Sequence, residues 1–127
     1  MHTILAVNAS DFIRHLSQPL LAAGFRLRIL DTPKQYAFQF ADPPSAVVIW
    51  FQTEAQVAQE VCIEIRRLAP EMPLIVMGPK TDIATKVRLL DLGADDYLEE
   101  PFATEELIAR LRSIIRSRRP YSNSAST

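Results

Sequence analysis

The segment GADDYLEEPF, residues 93–102, lies between two stretches whose apolar residues recur at helical spacing. Gly93 ends the first stretch, because glycine readily takes the left-handed conformation that closes many helices. Residues 96–98 are suited to a brief strand, and Thr104 then opens the second helical stretch. The order helix, short strand, helix indicates one unit of a fold in which strands and helices alternate.

Four more apolar runs precede this segment, separated by segments with helical patterns or helix-capping residues. The runs at residues 3–7, 46–51 and 74–77 lack polar alternation, which is typical of parallel strands covered on both faces. The run at residues 25–30 alternates with two arginines, which favours a strand near an edge. We therefore predict an α/β fold with a doubly wound, five-stranded parallel sheet. Functional groups in such sheets gather at the carboxyl ends of the strands.

The composition limits the classes of function that the chain can serve. Its 127 residues suit one domain, which we place at residues 1–118, with 119–127 predicted as a disordered tail or the start of an interdomain linker. The net charge is −1, from 14 basic and 15 acidic residues, which argues against direct nucleic acid binding by this domain.

Other features of the sequence argue against membrane and metal sites. No apolar run approaches the roughly 20 residues that span a bilayer, and no export signal precedes the first strand, so we expect a cytoplasmic protein with no membrane contact. The single cysteine, Cys62, cannot form an intramolecular disulfide. Together with two scattered histidines it makes no zinc pattern, so we expect no metal and no cofactor.

The GADDYLEEPF segment and the following residues 106–112 closely resemble the end of a response-regulator receiver domain of the CheY-like type. The resemblance extends from residue 4 to about residue 118. It implies the flavodoxin/CheY-like (βα)5 fold with strand order 2-1-3-4-5. It also implies a role in two-component signal transduction or a phosphorelay.

The receiver family carries its phosphoryl chemistry at five positions: two acidic metal ligands, a phosphoacceptor aspartate, a Thr or Ser, and a Lys. Here those positions read Asn8, Ala9, Trp50, Gly78 and Glu100. Trp50 has no nucleophilic oxygen, and Ala9 cannot ligate Mg²⁺, which prefers oxygen ligands. Glu100 repels a phosphoryl group, by about 4 kcal/mol per charge pair at ~4 Å in an effective dielectric near 20. The resemblance thus implies a pseudo-receiver with no catalytic residues, which is not an enzyme.

Two aromatic residues near these positions invite structural expectations. The resemblance places Tyr97 at the family's aromatic switch, whose ring moves inward when the Thr or Ser binds phosphate. Gly78 has no hydroxyl for this purpose, so we expect Tyr97 to be a partly buried aromatic at the end of the sheet. We expect Trp50 to fill the space of the missing carboxylates rather than to stack on a ligand.

The last two predicted helices carry a pattern of charges that suggests a dimer face. In the winged-helix transcription-factor branch (the OmpR/PhoB type), receivers dimerise through the fourth helix, fifth strand and fifth helix. The resemblance implies three inter-subunit ion pairs, which here are Lys86 with Glu106, Asp91 with Arg112, and Asp96 with Arg110. The central apolar patch consists of Val87, Leu90 and Ile108. Alternatively, Glu106 and Arg110 pair within one helix, as residues four apart often do.

Three functions are consistent with these observations. The first is an atypical, phosphorylation-independent receiver that homodimerises and controls transcription, with a DNA-binding effector domain either fused to it or separate. The second is a stand-alone pseudo-receiver that acts as an adaptor for a different protein. The third is a small-ligand sensor that uses the former acidic pocket, where Ala9, Trp50 and Gly78 would converge.

Overall fold

The computed structural model describes residues 1–7, 14–30 and 41–118. The strands are β1 (His2–Val7), β2 (Phe25–Leu30), β3 (Ala46–Trp50), β4 (Leu74–Gly78) and β5 (Asp96–Glu99). The helices within these residues are α1 (Ser17–Ala22), α2 (Ala55–Leu68), α3 (Ile83–Asp91) and α4 (Thr104–Ser117). Asn8, Ala9, the second predicted helix and the predicted tail at 119–127 lie outside the described residues, so α3 and α4 correspond to the fourth and fifth predicted helices.

The five strands form one parallel sheet in the order β2-β1-β3-β4-β5, which confirms the predicted fold. The apolar run of β3 lies at the centre, where Ala46 to Ile49 are buried. Arg26 of β2 is exposed, as predicted for a strand at an edge. Because Trp50 pairs with Met77 and Gly78 with Glu99, the carboxyl ends of the last three strands meet at one edge. We call this the carboxyl edge.

The core has two layers, one on each face of the sheet. Side chains of α2 and α3, including Cys62 and Leu89, pack on one face. Side chains of α1 and α4, including Leu20 and Leu111, pack on the other. Each fully buried apolar side chain contributes about 1.5–3 kcal/mol relative to exposure. Such covering of both faces explains why the strands read as continuous apolar runs.

At the opposite end of the sheet lies a cluster of three charged residues, Arg66, Asp95 and Arg118. We call this end of the sheet the amino edge. The Asp95 carboxylate accepts hydrogen bonds from the backbone N–H of Leu74 at 2.8 Å, from Arg66 at 3.2 Å and from Arg118 at 2.7 Å. Arg66 also donates to the Gly93 carbonyl at 2.9 and 2.7 Å. Gly93, at which the helix was predicted to end, has a φ of 122°, in the left-handed region that favours glycine. This cluster ties the starts of β4 and β5 to the end of α4.

In the described ranges, no helix combines the length and apolar character required to cross a membrane.

Candidate functional site

The carboxyl edge brings together three of the five positions that depart from the receiver pattern. Trp50 ends β3, Gly78 ends β4, and Glu100 directly follows β5. Asn8 and Ala9 lie outside the described residues, so the structure does not test their predicted place in the same site. In the described part of the chain, no group of three or more His, Cys, Asp or Glu residues could hold a metal ion.

Trp50 and Glu100 are hydrogen-bonded to each other. The indole Nε1–H donates to Oε1 of Glu100 at 2.5 Å, and both residues are half-buried. A bond from a neutral donor to a carboxylate is roughly twice as strong as one between neutral groups. The indole N–H can only donate, so Trp50 offers no lone pair for nucleophilic attack.

Gly78 has no space for a side chain. A Cβ atom at this position would lie 2.5 Å from Cε1 of Phe51 and 2.8 Å from the Tyr97 hydroxyl oxygen. Phe51 is buried, and its ring covers Gly78 from the side of α2. A Thr or Ser hydroxyl therefore cannot occupy this position unless the two rings move.

Tyr97 is held beside Gly78 by contacts from several directions. Its hydroxyl donates to the carbonyl oxygen of Pro79 at 2.5 Å, and its ring centroid lies 6.1 Å from that of Phe51. The Nζ atom of Lys86 lies 5.7 Å from the same ring. Burial, with smaller effects from the charges of Glu99 and Glu100, raises the pKa of Tyr97 to about 12. The phenol is thus protonated at neutral pH and remains a hydrogen-bond donor.

An open cavity of about 420 Å³ borders Trp50 at the carboxyl edge. Its lining includes side chains from the segments that follow β3, β4 and β5: Trp50, Gln52, Pro79, Lys80, Glu100 and Phe102. The expectation that Trp50 fills the space of the missing carboxylates stays a prediction, because Asn8 and Ala9 lie outside the described residues. Gly78 does not line this cavity, because it lies beneath Phe51 and Tyr97.

Comparison with known proteins identifies this arrangement. No protein-family model matches the chain. Over 119 residues, 92% of its length, the chain is 39% identical to the response regulator MprA of Mycolicibacterium vanbaalenii and 33% identical to that of Mycobacterium leprae. A response regulator receiver domain protein from Clostridium thermocellum has the same fold, with a TM-score of 0.79 over 93% of this chain and 97% of that one, at 16% identity.

The chain is a response-regulator receiver domain. The predicted resemblance to this family is confirmed. The receiver covers 52% of each of the two MprA proteins, so it spans about half the length of these curated relatives.

The predicted dimer face of this receiver, formed by α3, β5 and α4, already contains ion pairs within one chain. Arg110 donates to Asp96 at 2.5 Å and to Glu106 at 3.0 Å. These two hydrogen bonds raise the pKa of the guanidinium. Lys86 pairs with Glu99 at 3.2 Å. In the single chain, Arg110 therefore pairs with both Asp96 and Glu106, and Lys86 pairs with Glu99 instead of its predicted partner Glu106.

The apolar patch of this face is larger than the sequence suggested. Val87 and Leu90 are 47% and 43% exposed, whereas Ile108 is half-buried against the core. Ile83, which sequence reasoning missed, is 78% exposed and begins α3. Its spacing of four residues before Val87 was the available signal, since such residues share a helix face.

Arg112 lies on another side of α4. Its guanidinium donates to the carbonyl of Ala23 at 3.3 Å and lies 6.0 Å from the centre of the Phe25 ring. Asp91, its predicted partner from a second subunit, is exposed at the end of α3. The chain thus groups Asp96, Glu106 and Arg110 closely, but it does not bring Arg112 to that group.

Proposed function

We propose that this receiver signals without phosphorylation, by associating with proteins. The observation that carries the proposal is the hydrogen bond between Trp50 and Glu100. These residues stand at the family's phosphoacceptor and lysine positions, and their bond uses the single N–H donor of Trp50 and one oxygen of Glu100. Neither a nucleophile nor a cation is left at these two positions for phosphoryl transfer.

The aromatic switch supports the same proposal. The hydroxyl oxygen of Tyr97 lies 2.8 Å from where a Gly78 Cβ would be. The phenol therefore occupies space that the Thr or Ser side chain of other receivers would need. Its hydrogen bond to Pro79 is made to backbone and needs no phosphate. We infer that the ring is fixed in one orientation, which makes this receiver a pseudo-receiver with a constant surface.

The partner that we propose is a second copy of this chain, bound through α3, β5 and α4. The exposed side chains of Ile83, Val87 and Leu90 would supply the apolar contact. Since Arg110 is already paired within the chain, its inter-subunit pair with Asp96 would contribute mainly orientation and specificity. The same patch on both subunits gives a closed two-fold dimer.

The signal would pass to an effector domain. The receiver spans about half the length of its MprA relatives, which leaves room for a further domain in a protein of that length. We propose a DNA-binding effector, fused or separate, that controls transcription, while this domain itself makes no contact with nucleic acid. A receiver that acts as an adaptor for a different protein is the competing proposal, and the dimer experiment separates the two.

The phosphorylation test measures the intact mass of the chain after incubation with acetyl phosphate and Mg²⁺. We expect no gain of a phosphoryl group, either in the native chain or in a Trp50→Asp variant, because Ala9 still supplies no metal ligand. A receiver with the complete set of five residues serves as the positive control. Acid-labile phosphorylation of the native chain would overturn the proposal.

The dimer test is light scattering across a concentration series. Val87→Glu places a charge in the apolar patch, and Ile63→Glu is the matched control, since Ile63 is similarly exposed (49%) but lies on α2. We expect a dimer that Val87→Glu abolishes and Ile63→Glu leaves intact. A native chain that stays monomeric would refute homodimerisation and favour the adaptor.

A further inference from the structure

The cavity beside Trp50 has the composition of a small-molecule site. It holds about 420 Å³, within the range of about 300–1,000 Å³ that ligand pockets occupy. The indole of Trp50 and the ring of Phe102 supply aromatic surface, and Pro79 adds an apolar wall. It also lies beyond the carboxyl ends of parallel strands, where doubly wound sheets bind their ligands.

Two charged groups of opposite sign border these aromatic surfaces. Glu100 uses Oε1 to accept the Trp50 N–H, and a carboxylate has about four lone-pair sites, so it can accept from a ligand as well. Lys80, which is exposed, adds an ammonium group on the segment after β4. The aromatic lining indicates a ligand with rings. The acceptor and the cation on different segments of the lining would fix how that ligand is oriented.

We propose that this cavity binds an aromatic small molecule that carries an acidic group and an N–H or O–H donor. Its rings pack against Trp50 and Phe102, its donor binds the Glu100 carboxylate, and its acidic group lies near Lys80. No covalent step is involved.

The walls of the cavity are connected to the proposed dimer face. The Pro79 carbonyl accepts the hydrogen bond of Tyr97, whose ring in turn lies next to Lys86. Glu100 directly follows Glu99, the ion-pair partner of Lys86 on α3. A bound molecule that displaces Pro79 or Glu100 would therefore alter the contacts of Lys86. This coupling rests on the proposed function, whereas the binding itself does not.

Trp50 is the only tryptophan of the chain, so its fluorescence reports on this cavity. The probe is 8-anilinonaphthalene-1-sulfonate, which has aromatic rings, one N–H donor and one sulfonate. We expect saturable energy transfer from Trp50 to the probe at one site per chain. Transfer that rises without saturation indicates non-specific adsorption and would overturn the site.

Matched variants test the two polar contacts. Glu100→Ala should weaken probe binding about tenfold, since it removes a charged hydrogen-bond acceptor, and Lys80→Ala should weaken it several-fold. Glu71→Ala is the control, because Glu71 lines a separate apolar groove near the amino edge, and it should leave the affinity unchanged. If Glu100→Ala does not fold, Glu100→Gln takes its place, with a several-fold loss expected. Unchanged affinity in the Glu100 and Lys80 variants would refute the site.

Light scattering with and without saturating probe tests the coupling separately. A shift in the dimer dissociation constant supports it, and an unchanged constant refutes the coupling while the binding site stands. If the chain proves monomeric but the probe binds saturably and the Glu100 and Lys80 variants weaken its binding, the dimer proposal fails and the site survives.

Discussion

The acidic side chains at the two edges of the sheet accept hydrogen bonds from different kinds of donor. At the amino edge, Asp95 accepts hydrogen bonds from two arginines and one backbone N–H, and its side chain is only 15% exposed. At the carboxyl edge, where receivers gather acidic residues around a metal, Glu100 accepts from the indole of Trp50. The amino edge therefore holds the backbone together, whereas the carboxyl edge borders an open cavity.

This difference would let the fold persist after the proposed loss of phosphoryl chemistry. A carboxylate that binds backbone and paired cations is costly to replace, because its removal leaves several buried groups without partners. A carboxylate cluster that awaits a metal is electrostatically unfavourable without that metal, so its replacement costs the fold little. The predictions below test this contrast, beginning with the largest expected effect.

Asp95→Ala should lower the free energy of unfolding by about 3 kcal/mol, because it removes the carboxylate that binds Arg66 and Arg118 and leaves the backbone N–H of Leu74 without its acceptor. Urea unfolding followed by circular dichroism measures the change. Asp91→Ala, at an exposed position, is the control and should stay within about 0.5 kcal/mol of the native value. Equal losses in both variants would contradict the special role of the amino edge.

Gly78→Ala should destabilise the chain by about 1–3 kcal/mol, because its Cβ would overlap the rings of Phe51 and Tyr97. The same change in a Phe51→Leu background should cost less, since the smaller side chain leaves room. A double-mutant cycle by urea unfolding measures the coupling between the two sites. A coupling near zero would show that Phe51 does not close this position.

Tyr97→Phe should cost about 1 kcal/mol, because it removes the hydrogen bond to Pro79. The variant also tests the pKa of Tyr97, which is raised to about 12. A raised folded-state pKa means that this stabilisation is complete below the unfolded pKa of about 10 and is lost as the pH rises toward 12. The loss between pH 10 and 12 should be smaller in Tyr97→Phe than in the native chain, and an identical loss would contradict the assignment.

Substitution of Asp82, the residue directly before α3, should have the smallest effect on stability. Its carboxylate accepts from the backbone N–H of Thr85 at 2.8 Å, and these hydrogen bonds lower the pKa of Asp82. The stabilisation is present above the ordinary aspartate pKa of about 3.9 and is lost as the pH falls through the lower folded value. Asp82→Asn retains a cap and should flatten this part of the acid profile in thermal unfolding. An unchanged acid profile would exclude Asp82 as its source.

The sequence alone predicts the sheet and the position of Trp50, Gly78 and Glu100 at its carboxyl edge, but not the partners of the long side chains there. Continuous apolar runs are a direct consequence of burial on both faces, so β3 and β4 were placed correctly. The bond between Trp50 and Glu100 joins residues 50 positions apart and depends on strand register and rotamer. Likewise, Lys86 binds Glu99 in this chain, because a flexible lysine takes the nearest carboxylate. The side of α4 on which Arg112 lies could not be predicted from the sequence either.

The link between Arg118 and Asp95 has a mechanical consequence. Arg118 lies at the end of α4, and Asp95 holds the first residue of β4, Leu74, through its backbone N–H. A force applied to the end of α4 is therefore transmitted through two hydrogen bonds to β4, an interior strand of the sheet. Under tension, α4 should resist peeling until the Arg118–Asp95 contact ruptures, and this rupture would set the first unfolding force of the domain.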